Sequence, residues 1–372
     1  MPHSPQSRAE PACAADFAQR ASELLEQRKI AECLACTDQA ILLGAEPLSL
    51  SYLRWMCFML RGEFDEAWRE SDRSVAAFRE GGQSQQFLPP HLRRVWNGPD
   101  LDGKRVLVRC YHGLGDTIQF VRFLPSLARR ALSVHLQCQP ELAPLLRSSP
   151  AINECCRIND SVDVDFDVEI ELMELAHALR TNWTNLPRDT PYLFVPGITE
   201  LGSSNHRARP NLNFETLKIG IAWSSGDWDP KRNIPLSELA PLKEIPRIAL
   251  FRLQHGLAAV RDSELQQSLR IETAGSAPET VVATANTISS MDLVISVDTM
   301  VAHLAGALGR PVWVLLPFSA DWRWMLDRSD SPWYPAMRLF RQPEPGNWKS
   351  AVSVLIENLG NFRDPRYFVS AG

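Results

Sequence analysis

The pattern of apolar positions divides the chain into two kinds of structure. From Ala14 to Arg79 apolar residues recur every three to four positions, which predicts amphipathic helices and no strand. Gly81-Gly82 and Pro89-Pro90 interrupt this pattern. From Arg105 onward, short β-rich runs alternate with helical stretches. The sequence therefore predicts an all-helical region over residues 1–88, followed by an α/β region.

The helical region repeats internally. A shift of 34 residues superposes its second helix pair on its first and places Ala67 on Cys33, where small residues would let paired helices approach closely. Paired helices with this period are typical of tetratricopeptide-type repeats. Two units are fewer than the three or so that such repeats need for stability, so we expect this region to pack against the α/β region. An unrelated four-helix cap is the alternative.

The α/β region begins with one strand–helix–strand unit. Arg105 to Arg109 is a short β-rich run, and the glycine turn from His112 to Asp116 leads into a helical stretch from Thr117 to Arg130. The next strand and helix are predicted over Val134–Gln137 and Pro140–Arg147. This order of elements implies a parallel sheet.

A second series of strands and helices comes after a tract of Gly, Ser, Asn and Arg at residues 197–217, which predicts a linker. The predicted strands are Lys218–Trp223, Ile248–Leu253, Leu293–Ser296 and Val312–Leu316, and the predicted helix is Met300–Leu308. We therefore predict two α/β domains over residues 92–205 and 206–345, with a C-terminal helix and tail over 346–372.

Composition and charge restrict the class of protein. Hydrophobic residues make up 45% and charged residues 22%, as in soluble globular proteins. The net charge of -5 indicates no nucleic-acid partner, since such binders normally carry a basic surplus. No apolar run is long enough to predict a transmembrane segment. The eight cysteines, without an apolar leader before them, are expected to be reduced thiols of a cytoplasmic protein.

The first candidate site is the glycine turn. Gly113 and Gly115 lie between a predicted strand and a predicted helix, where glycines let the backbone approach a ligand closely and point free N–H groups at it. A tight turn with Asp116 as the N-cap is the alternative. The turn is not a dinucleotide-binding GxGxxG motif, and no acidic residue lies about 20 positions later to bind a ribose.

The second candidate site is the segment that begins at Ser296. A buried-looking strand ends there, Asp298 and Thr299 come next, and a helix of small residues begins at Met300. The free N–H groups and the dipole of that first turn would suit a pyrophosphate. His303 lies four residues after Thr299 and so on the same face of the helix.

Two polar loops also come directly after predicted strands. The loop from Trp223 to Pro235 carries Lys231 and Arg232, and loops that leave the carboxyl ends of parallel strands are where ligands bind. The alternative for these two cations is a solvated surface. The second loop carries Asp321-Trp322-Arg323-Trp324, whose aromatic rings would form either a stacking platform or a hydrophobic lid.

Two further signals favour structural roles. Cys33 and Cys36 form a CxxC pair, but no second pair lies at zinc-binding spacing, so we expect core packing. Asp163, Asp165 and Asp167 alternate with apolar residues, which favours a half-exposed strand over a divalent-metal site. We therefore predict no metal ligands.

Three stretches resemble a known family. GLGDTIQFVRFLPSLARR, the long segment that begins ISVDTMVAHLAGALGRPVWVLLPF, and KRNIPLSEL resemble bacterial proteins that join tetratricopeptide repeats to a glycosyltransferase domain. That domain is similar to the ADP-heptose:lipopolysaccharide heptosyltransferases, glycosyltransferase family 9. The resemblance covers about residues 92–360. It implies a GT-B fold, in which two Rossmann-like domains face each other across a cleft, here preceded by the all-α repeat-like cap.

The resemblance also implies roles for individual residues. Asp116 matches the family's cleft aspartate, the general base, and Arg232 or Lys231 matches a cation that precedes a proline. Residues that match the family's donor-binding segment or neighbour it are Asp298, Thr299, Met300 and His303. Candidate nucleotide-binding residues elsewhere are Gly113, Gly115, Trp223 and Gln254. The sequence departs from the family at His112, where a glutamine is expected, and at residues 174–176, which read ELA where SLP is expected. The second departure lies on the acceptor side.

The expected function rests on these matches. We expect an inverting, metal-independent glycosyltransferase that needs no cofactor and transfers a sugar from a nucleotide-sugar to a glycan, a lipid-linked saccharide or a protein. The helical region could bind a protein partner. One alternative is a catalytically inactive interaction protein or sugar-nucleotide sensor, which the presence of Asp116 argues against. The other is a Rossmann-type oxidoreductase, which the missing GxGxxG motif argues against.

Overall fold

The computed structural model describes residues 13–81, 95–147, 149–196, 216–226, 229–273 and 280–361. Within these ranges the chain forms two compact units. One contains residues 13–81 and Asp321–Leu326, and the other contains the rest. The breaks predicted at residues 82–90 and most of the linker predicted at residues 197–217 lie outside the described ranges, as does the tail after residue 361.

The first unit consists of two helical hairpins. Helices α1 (Ala14–Glu26) and α2 (Ile30–Leu42) form one, and α3 (Pro47–Arg61) and α4 (Phe64–Gly81) form the other. These four helices confirm the predicted helix pairs. Their assignment to the tetratricopeptide type stays a prediction.

A buried carboxylate connects helices α3 and α4. Glu70 is 3% exposed, and its carboxylate accepts hydrogen bonds from Arg54 Nε at 2.9 Å and from Ser51 Oγ at 3.1 Å. Arg73, one turn further along α4, also donates to it. A buried charge with several partners stabilises one arrangement of the helices, since loss of any partner would leave that charge unpaired.

Of the CxxC pair, Cys33 belongs to the core of the helical unit, as the sequence predicts, whereas Cys36 is half-buried. Cys33 is fully buried on α2, and its Sγ lies 3.4 Å from Sγ of Cys57 on α3. All eight cysteines of the chain are free thiols.

The segment Asp321–Leu326 completes the helical unit. The Trp322 ring meets the Trp55 ring edge to face, with 5.3 Å between centroids, and the Leu326 N–H donates to the Leu60 carbonyl at 3.2 Å. Trp322 is buried. Of the two interpretations for this tryptophan segment, the structure favours the hydrophobic lid.

The second unit contains two parallel sheets, which confirms the predicted α/β class. The first sheet has the strand order β3-β2-β1-β4, with β1 (Arg105–Arg109), β2 (Ser133–Cys138), β3 (Glu154–Arg157) and β4 (Val168–Glu171). The second has the order β10-β9-β8-β5-β6-β7, with β5 (Leu217–Ala222), β6 (Ile248–Arg252), β7 (Ile271–Glu272), β8 (Leu293–Val297), β9 (Val312–Leu316) and β10 (Met337–Arg341). The division into separate domains at residues 205 and 206 stays a prediction.

Helices lie between these strands in the chain, and α13 comes after the last of them. In the first half they are α5 (Leu114–Phe120), α6 (Leu124–Ala128), α7 (Ala143–Leu146) and α8 (Leu175–Ala178). In the second half they are α9 (Gly256–Arg261), α10 (Ser263–Ser268), α11 (Val281–Ser289), α12 (Met300–Ala307) and α13 (Trp348–Asn361). Strands β8 and β9 are buried along their whole length, which agrees with their continuous apolar sequences.

The long helix predicted over 117–130 is wrong in its start and its continuity. Helix α5 begins at Leu114 with Gly113 as the N-cap, so Asp116 is the third helical residue and not the cap. Its carboxylate reaches back to accept the Gly113 N–H at 3.0 Å, which supports the earlier start. A short 3-10 helix at Val121–Phe123 then separates α5 from α6.

The strand predicted through the three aspartates is also wrong. Strand β4 begins only at Val168, after Asp163, Asp165 and Asp167. Arg105 on β1 forms ion pairs with two of them, at 3.2 Å to Asp165 and 2.8 Å to Asp167. Charge pairing with β1 therefore accounts for the carboxylates of Asp165 and Asp167.

Helix α12 packs tightly on a buried tyrosine. A Cβ atom added at Gly306 would lie 2.4 Å from Cδ1 of Tyr334, which is fully buried. Replacing Gly306 by alanine is therefore expected to lower the free energy of unfolding by about 1–3 kcal/mol. The matched control is Gly360→Ala on α13, where nothing lies within 4 Å and alanine is expected to be neutral or stabilising. Urea unfolding of both variants measures the difference, and equal stabilities would contradict the tight contact.

Candidate active site

The turn between β1 and α5 is held by side-chain hydrogen bonds. Gln139, just after β2, donates from Nε2 to the His112 carbonyl at 2.6 Å and accepts at Oε1 from Thr117 Oγ1 at 3.0 Å. The Gly113 N–H donates to Asp116. These bonds fix the Asp116 carboxylate at the first turn of α5, beside the carboxyl end of β1.

The turn between β8 and α12 buries an acid and an imidazole. Asp298 is 3% exposed and His303 is 1% exposed, and Thr299 is the N-cap of α12. The Nδ1 atom of His303 lies 3.0 Å from the Tyr334 hydroxyl, and its Nε2 atom lies 3.7 Å from Oδ1 of Asp298. His303 is therefore held between Tyr334 and Asp298, one turn after Thr299 as predicted.

These two turns meet. A Cβ atom added at Gly115 would lie 3.0 Å from Cδ2 of His303 and 3.5 Å from Cα of Met300. The close approach predicted for this glycine is therefore an approach of α5 to the first turns of α12. Asp116 comes directly after Gly115, so the structure brings it next to the Asp298–His303 segment.

Trp223 and Gln254 stabilise the loop after β5. The Trp223 indole is fully buried and donates from Nε1 to Asp262 at 2.7 Å. Gln254 Oε1 accepts the backbone N–H groups of Trp223 at 3.0 Å and of Ser224 at 2.8 Å. The structure thus places these two predicted nucleotide-binding side chains against protein groups, where they hold the strand end in position.

Arg232 connects the β5 loop with the start of α12. It ends a 3-10 helix at Pro230–Arg232 and donates from Nη1 to the Asp298 carbonyl at 3.2 Å. Its Nε atom lies 3.6 Å from Oδ2 of Asp229, and its side chain is 23% exposed. Lys231 beside it is exposed. Of the two predicted cations, Arg232 is thus the one that contacts the β8–α12 turn.

Glu171 is a buried acid that the sequence motifs did not reveal. It ends β4 opposite Arg109 of β1, is 3% exposed, and has its Oε2 atom 3.7 Å from His112 Nε2. Burial raises the pKa of the Glu171 carboxyl to about 8, with the charges of Glu174 and Asp116 as further causes. The backbone N–H groups of residues 173 and 111 act in the opposite direction. The signal that could have found Glu171 is its position after a strand, because strand ends in a parallel sheet converge.

The sequence motifs did not identify Arg122 either. It is 4% exposed and donates to the Pro187 and Trp333 carbonyls and to the Tyr192 hydroxyl. Its guanidinium carbon lies 4.4 Å from the centroid of the Tyr334 ring, within cation–π range. Since Tyr334 is also the partner of His303, Arg122 supports the residue that holds the imidazole.

The described residues contain neither a metal-binding cluster nor a membrane-spanning helix. Within them, no three His, Cys, Asp or Glu side chains are grouped so that they could bind a metal together. No helix among the described residues is both long and apolar enough to cross a bilayer.

The chain is similar to one curated protein at low identity. No protein-family model matches it. Protein FlbA of Caulobacter vibrioides is 24% identical over 375 aligned residues, which span 92% of this chain and 61% of FlbA. The chain therefore covers less than two thirds of that relative's length.

The solved structures to which the chain is similar include transferases. A glycosyltransferase family 9 protein of Veillonella parvula is 17% identical, with 71% of this chain and 91% of that chain covered and a TM-score of 0.43. The E. coli heptosyltransferase WaaC, solved with ADP-2-deoxy-2-fluoro heptose, is 13% identical, with coverage of 68% and 99% and a TM-score of 0.42. An O-GlcNAc transferase of Thermobaculum terrenum is 12% identical, with coverage of 97% and 81% and a TM-score of 0.35. At these TM-scores the similarity assigns no activity to the chain.

Proposed function

We propose that the protein is an inverting, metal-independent glycosyltransferase of the GT-B type. It transfers a sugar from a nucleotide-sugar donor to a hydroxyl group of a glycan, a lipid-linked saccharide or a protein, and it acts in the cytoplasm. The observation that carries the proposal is the contact of Gly115 with His303 and Met300. Through this contact a carboxylate that can act as a base lies beside a helix start that can bind a diphosphate.

At the β8–α12 turn, where the donor would bind, positive charge stabilises the departing nucleotide. Cleavage of a sugar–diphosphate bond leaves additional negative charge on the departing nucleotide. The N-terminus of α12 offers backbone N–H groups and a partial positive charge, and Arg232 lies at the same turn. A charge-assisted hydrogen bond contributes about 1.5–3 kcal/mol, so these groups can stabilise the leaving group without a metal ion. Asp298 and His303, which match the family's donor-binding segment, are buried here and hold this turn in position.

The acceptor end needs a base. A sugar or serine hydroxyl is a poor nucleophile until its proton is removed, and Asp116 is half-buried at the start of α5 with its carboxylate held by the Gly113 N–H. A base that faces the donor's anomeric carbon from the side opposite the diphosphate leads to inversion. The acceptor therefore binds on the side of the first sheet.

Two measurements test the proposal directly. Thermal-shift screening of nucleoside diphosphates is expected to raise the unfolding temperature for at least one of them, because a ligand that binds only the folded state stabilises it. Mass spectrometry of the reaction with a panel of nucleotide-sugars is expected to show loss of the donor's sugar. Binding of a donor with no turnover would favour the inactive sensor instead.

Replacing Arg232 by alanine is expected to weaken nucleoside-diphosphate binding about 10- to 150-fold, because one charge-assisted contact is lost. Binding of the nucleoside without phosphates is expected to stay nearly unchanged. The matched control is Lys231→Ala, which removes the exposed neighbouring cation. Calorimetry with both ligands measures the affinities. Equal losses for nucleoside and nucleoside diphosphate in the Arg232 variant would place the phosphates elsewhere.

A further inference from the structure

Two thiols from neighbouring strands of the first sheet are in contact. Cys138 ends β2 and Cys155 belongs to β3, and their Sγ atoms lie 3.6 Å apart. The sulphur atoms of a disulfide are about 2.0 Å apart, so these two need to approach each other by about 1.6 Å to bond. Strand β3 has four residues and lies at the edge of the sheet, where β2 is its neighbour. A short edge strand of this kind can follow the pull of a new bond.

The two thiols differ in their access to a reagent. Cys155 is half-buried, whereas Cys138 is fully buried. The hydrogen bond from Cys138 lowers the pKa of the Cys155 thiol, the charge of Arg147 acts in the same direction, and burial opposes both. The thiolate is the reactive form of cysteine, so Cys155 is the member that reacts first with an oxidant. Cys138 lies behind it as the second thiol.

The register of the strands determines what a bond between them would do. Cys155 lies opposite Leu136, which comes two residues before Cys138. The bond therefore runs diagonally between the strands, and its formation makes them slide along each other. The end of β2 is drawn back toward the start of that strand.

The end of β2 leads directly into the proposed active site. Gln139 comes next after Cys138, donates to the His112 carbonyl at 2.6 Å and accepts from Thr117 Oγ1 at 3.0 Å. These two bonds span the turn that carries Asp116. A shift of Cys138 is therefore passed on to this turn through Gln139.

We propose that Cys138 and Cys155 are a peroxide-responsive thiol pair, whose disulfide draws Gln139 away from the turn that carries Asp116. The Cys155 thiolate attacks one oxygen of hydrogen peroxide, the O–O bond breaks, and a sulfenic acid and hydroxide form. The Cys138 sulphur then attacks the Cys155 sulphur, so that the S–S bond forms, the S–O bond breaks and the oxygen leaves as water with the Cys138 proton. In total the two thiols are oxidised to a disulfide, and one peroxide is reduced to two waters.

Formation of the bond does not depend on the proposed function, and only its effect on turnover rests on that function. Disulfides in the cytoplasm are usually transient and redox-sensing. A thiol reductant such as dithiothreitol is expected to reverse the bond.

Peptide mapping without reductant tests the bond itself. After the full chain is treated with a small molar excess of hydrogen peroxide, we expect linked peptides that contain Cys138 and Cys155 and that dithiothreitol separates. Cys155→Ser is expected to abolish this species. Cys156→Ser, the matched control on the neighbouring half-buried thiol, is expected to retain it. A bond through Cys156 instead, or oxidation of Cys155 to a sulfinic acid without a bond, overturns the inference.

A second thiol pair provides an internal reference for accessibility. The Sγ atoms of Cys33 and Cys57 lie 3.4 Å apart, but both residues are fully buried in the helical unit. This pair is expected to remain reduced under the same treatment, because the oxidant does not reach it. Its oxidation ahead of Cys138 and Cys155 would contradict the role given to the exposed thiol.

Hydrogen–deuterium exchange tests the effect on the turn without any activity. In the oxidised wild type, the amides of residues 112–117 are expected to exchange about tenfold faster, because the bonds from Gln139 are lost. Peroxide-treated Cys155→Ser is expected to keep the slow exchange. If the disulfide forms and the exchange of the turn does not change, the proposed displacement is wrong.

Turnover is the last readout. In the oxidised wild type it is expected to fall by up to about 100-fold, since a displacement of about 1 Å at a catalytic group can cost that much, and to recover with dithiothreitol. Cys155→Ser is expected to be insensitive to peroxide. Full turnover in the disulfide-linked protein refutes the regulatory effect. Absence of turnover in the reduced protein with every donor counts against the proposed function, while the mapping and the exchange still decide this inference.

Discussion

Turnover is expected to fall about 100- to 10,000-fold when Asp116 is replaced by asparagine, because removal of a general base costs that much. Asparagine has the same shape, and its carbonyl oxygen can still accept the Gly113 N–H that the carboxylate accepts at 3.0 Å. Folding and nucleoside-diphosphate affinity are therefore expected to stay close to wild type. Initial rates at saturating donor, urea unfolding and calorimetry measure the three quantities.

Asp160 offers a matched control for this change. Its carboxylate accepts the Arg157 N–H at 3.1 Å, three residues earlier in the chain, just as Asp116 accepts that of Gly113. Asp160 is exposed and outside the proposed site. Asp160→Asn is expected to leave the rate unchanged. Wild-type turnover in Asp116→Asn would remove Asp116 from the mechanism.

The second large effect concerns stability. Replacing Arg122 by leucine is expected to lower the free energy of unfolding by about 2–5 kcal/mol, since buried acceptors that lose a charged donor remain unpaired. The affected acceptors are the Pro187 and Trp333 carbonyls and the Tyr192 hydroxyl. Urea unfolding at neutral pH measures the change.

Arg129 is the control for Arg122. It lies seven residues further along, is exposed, and donates to Ser126 at 2.9 Å. Arg129→Leu is expected to change stability by no more than about 0.5 kcal/mol. If Arg122→Leu were equally mild, the cluster of aromatic rings around Arg122 would not depend on its charge.

Local sequence was sufficient for some strands of the second unit, whereas β3, β7 and β10 were not predicted. β1 and β9 have the predicted bounds, because each is a short apolar or β-branched run ended by turn residues. The run of alternating aspartates was misleading for a physical reason. Alternation records which residues could face solvent, whereas the contact of Arg105 with Asp165 and Asp167 comes from a segment about 60 residues earlier.

For the candidate site, too, local sequence identifies some residues and not others. Asp116, Asp298 and His303 could be found because each lies at a turn between a strand and a helix, which local sequence marks. The sequence could not show why position 115 is glycine. The atoms that a side chain there would meet belong to His303 and Met300, on a helix that is far away in sequence but close in space. Local sequence did not identify Glu171 for a related reason, since its burial depends on the packing of β4 against β1.

The return of Asp321–Leu326 to the helical unit has a consequence for biosynthesis. The ring that covers Trp55 and the N–H that satisfies the Leu60 carbonyl both come from this segment. A ribosome that has made helices α1 to α4 must still add about 240 residues before the segment emerges, which takes on the order of 10–50 s at about 5–20 residues per second. During that interval the Trp55 ring and the Leu60 carbonyl lack these partners. Helices α1 to α4 are therefore synthesised well before the segment that completes their packing.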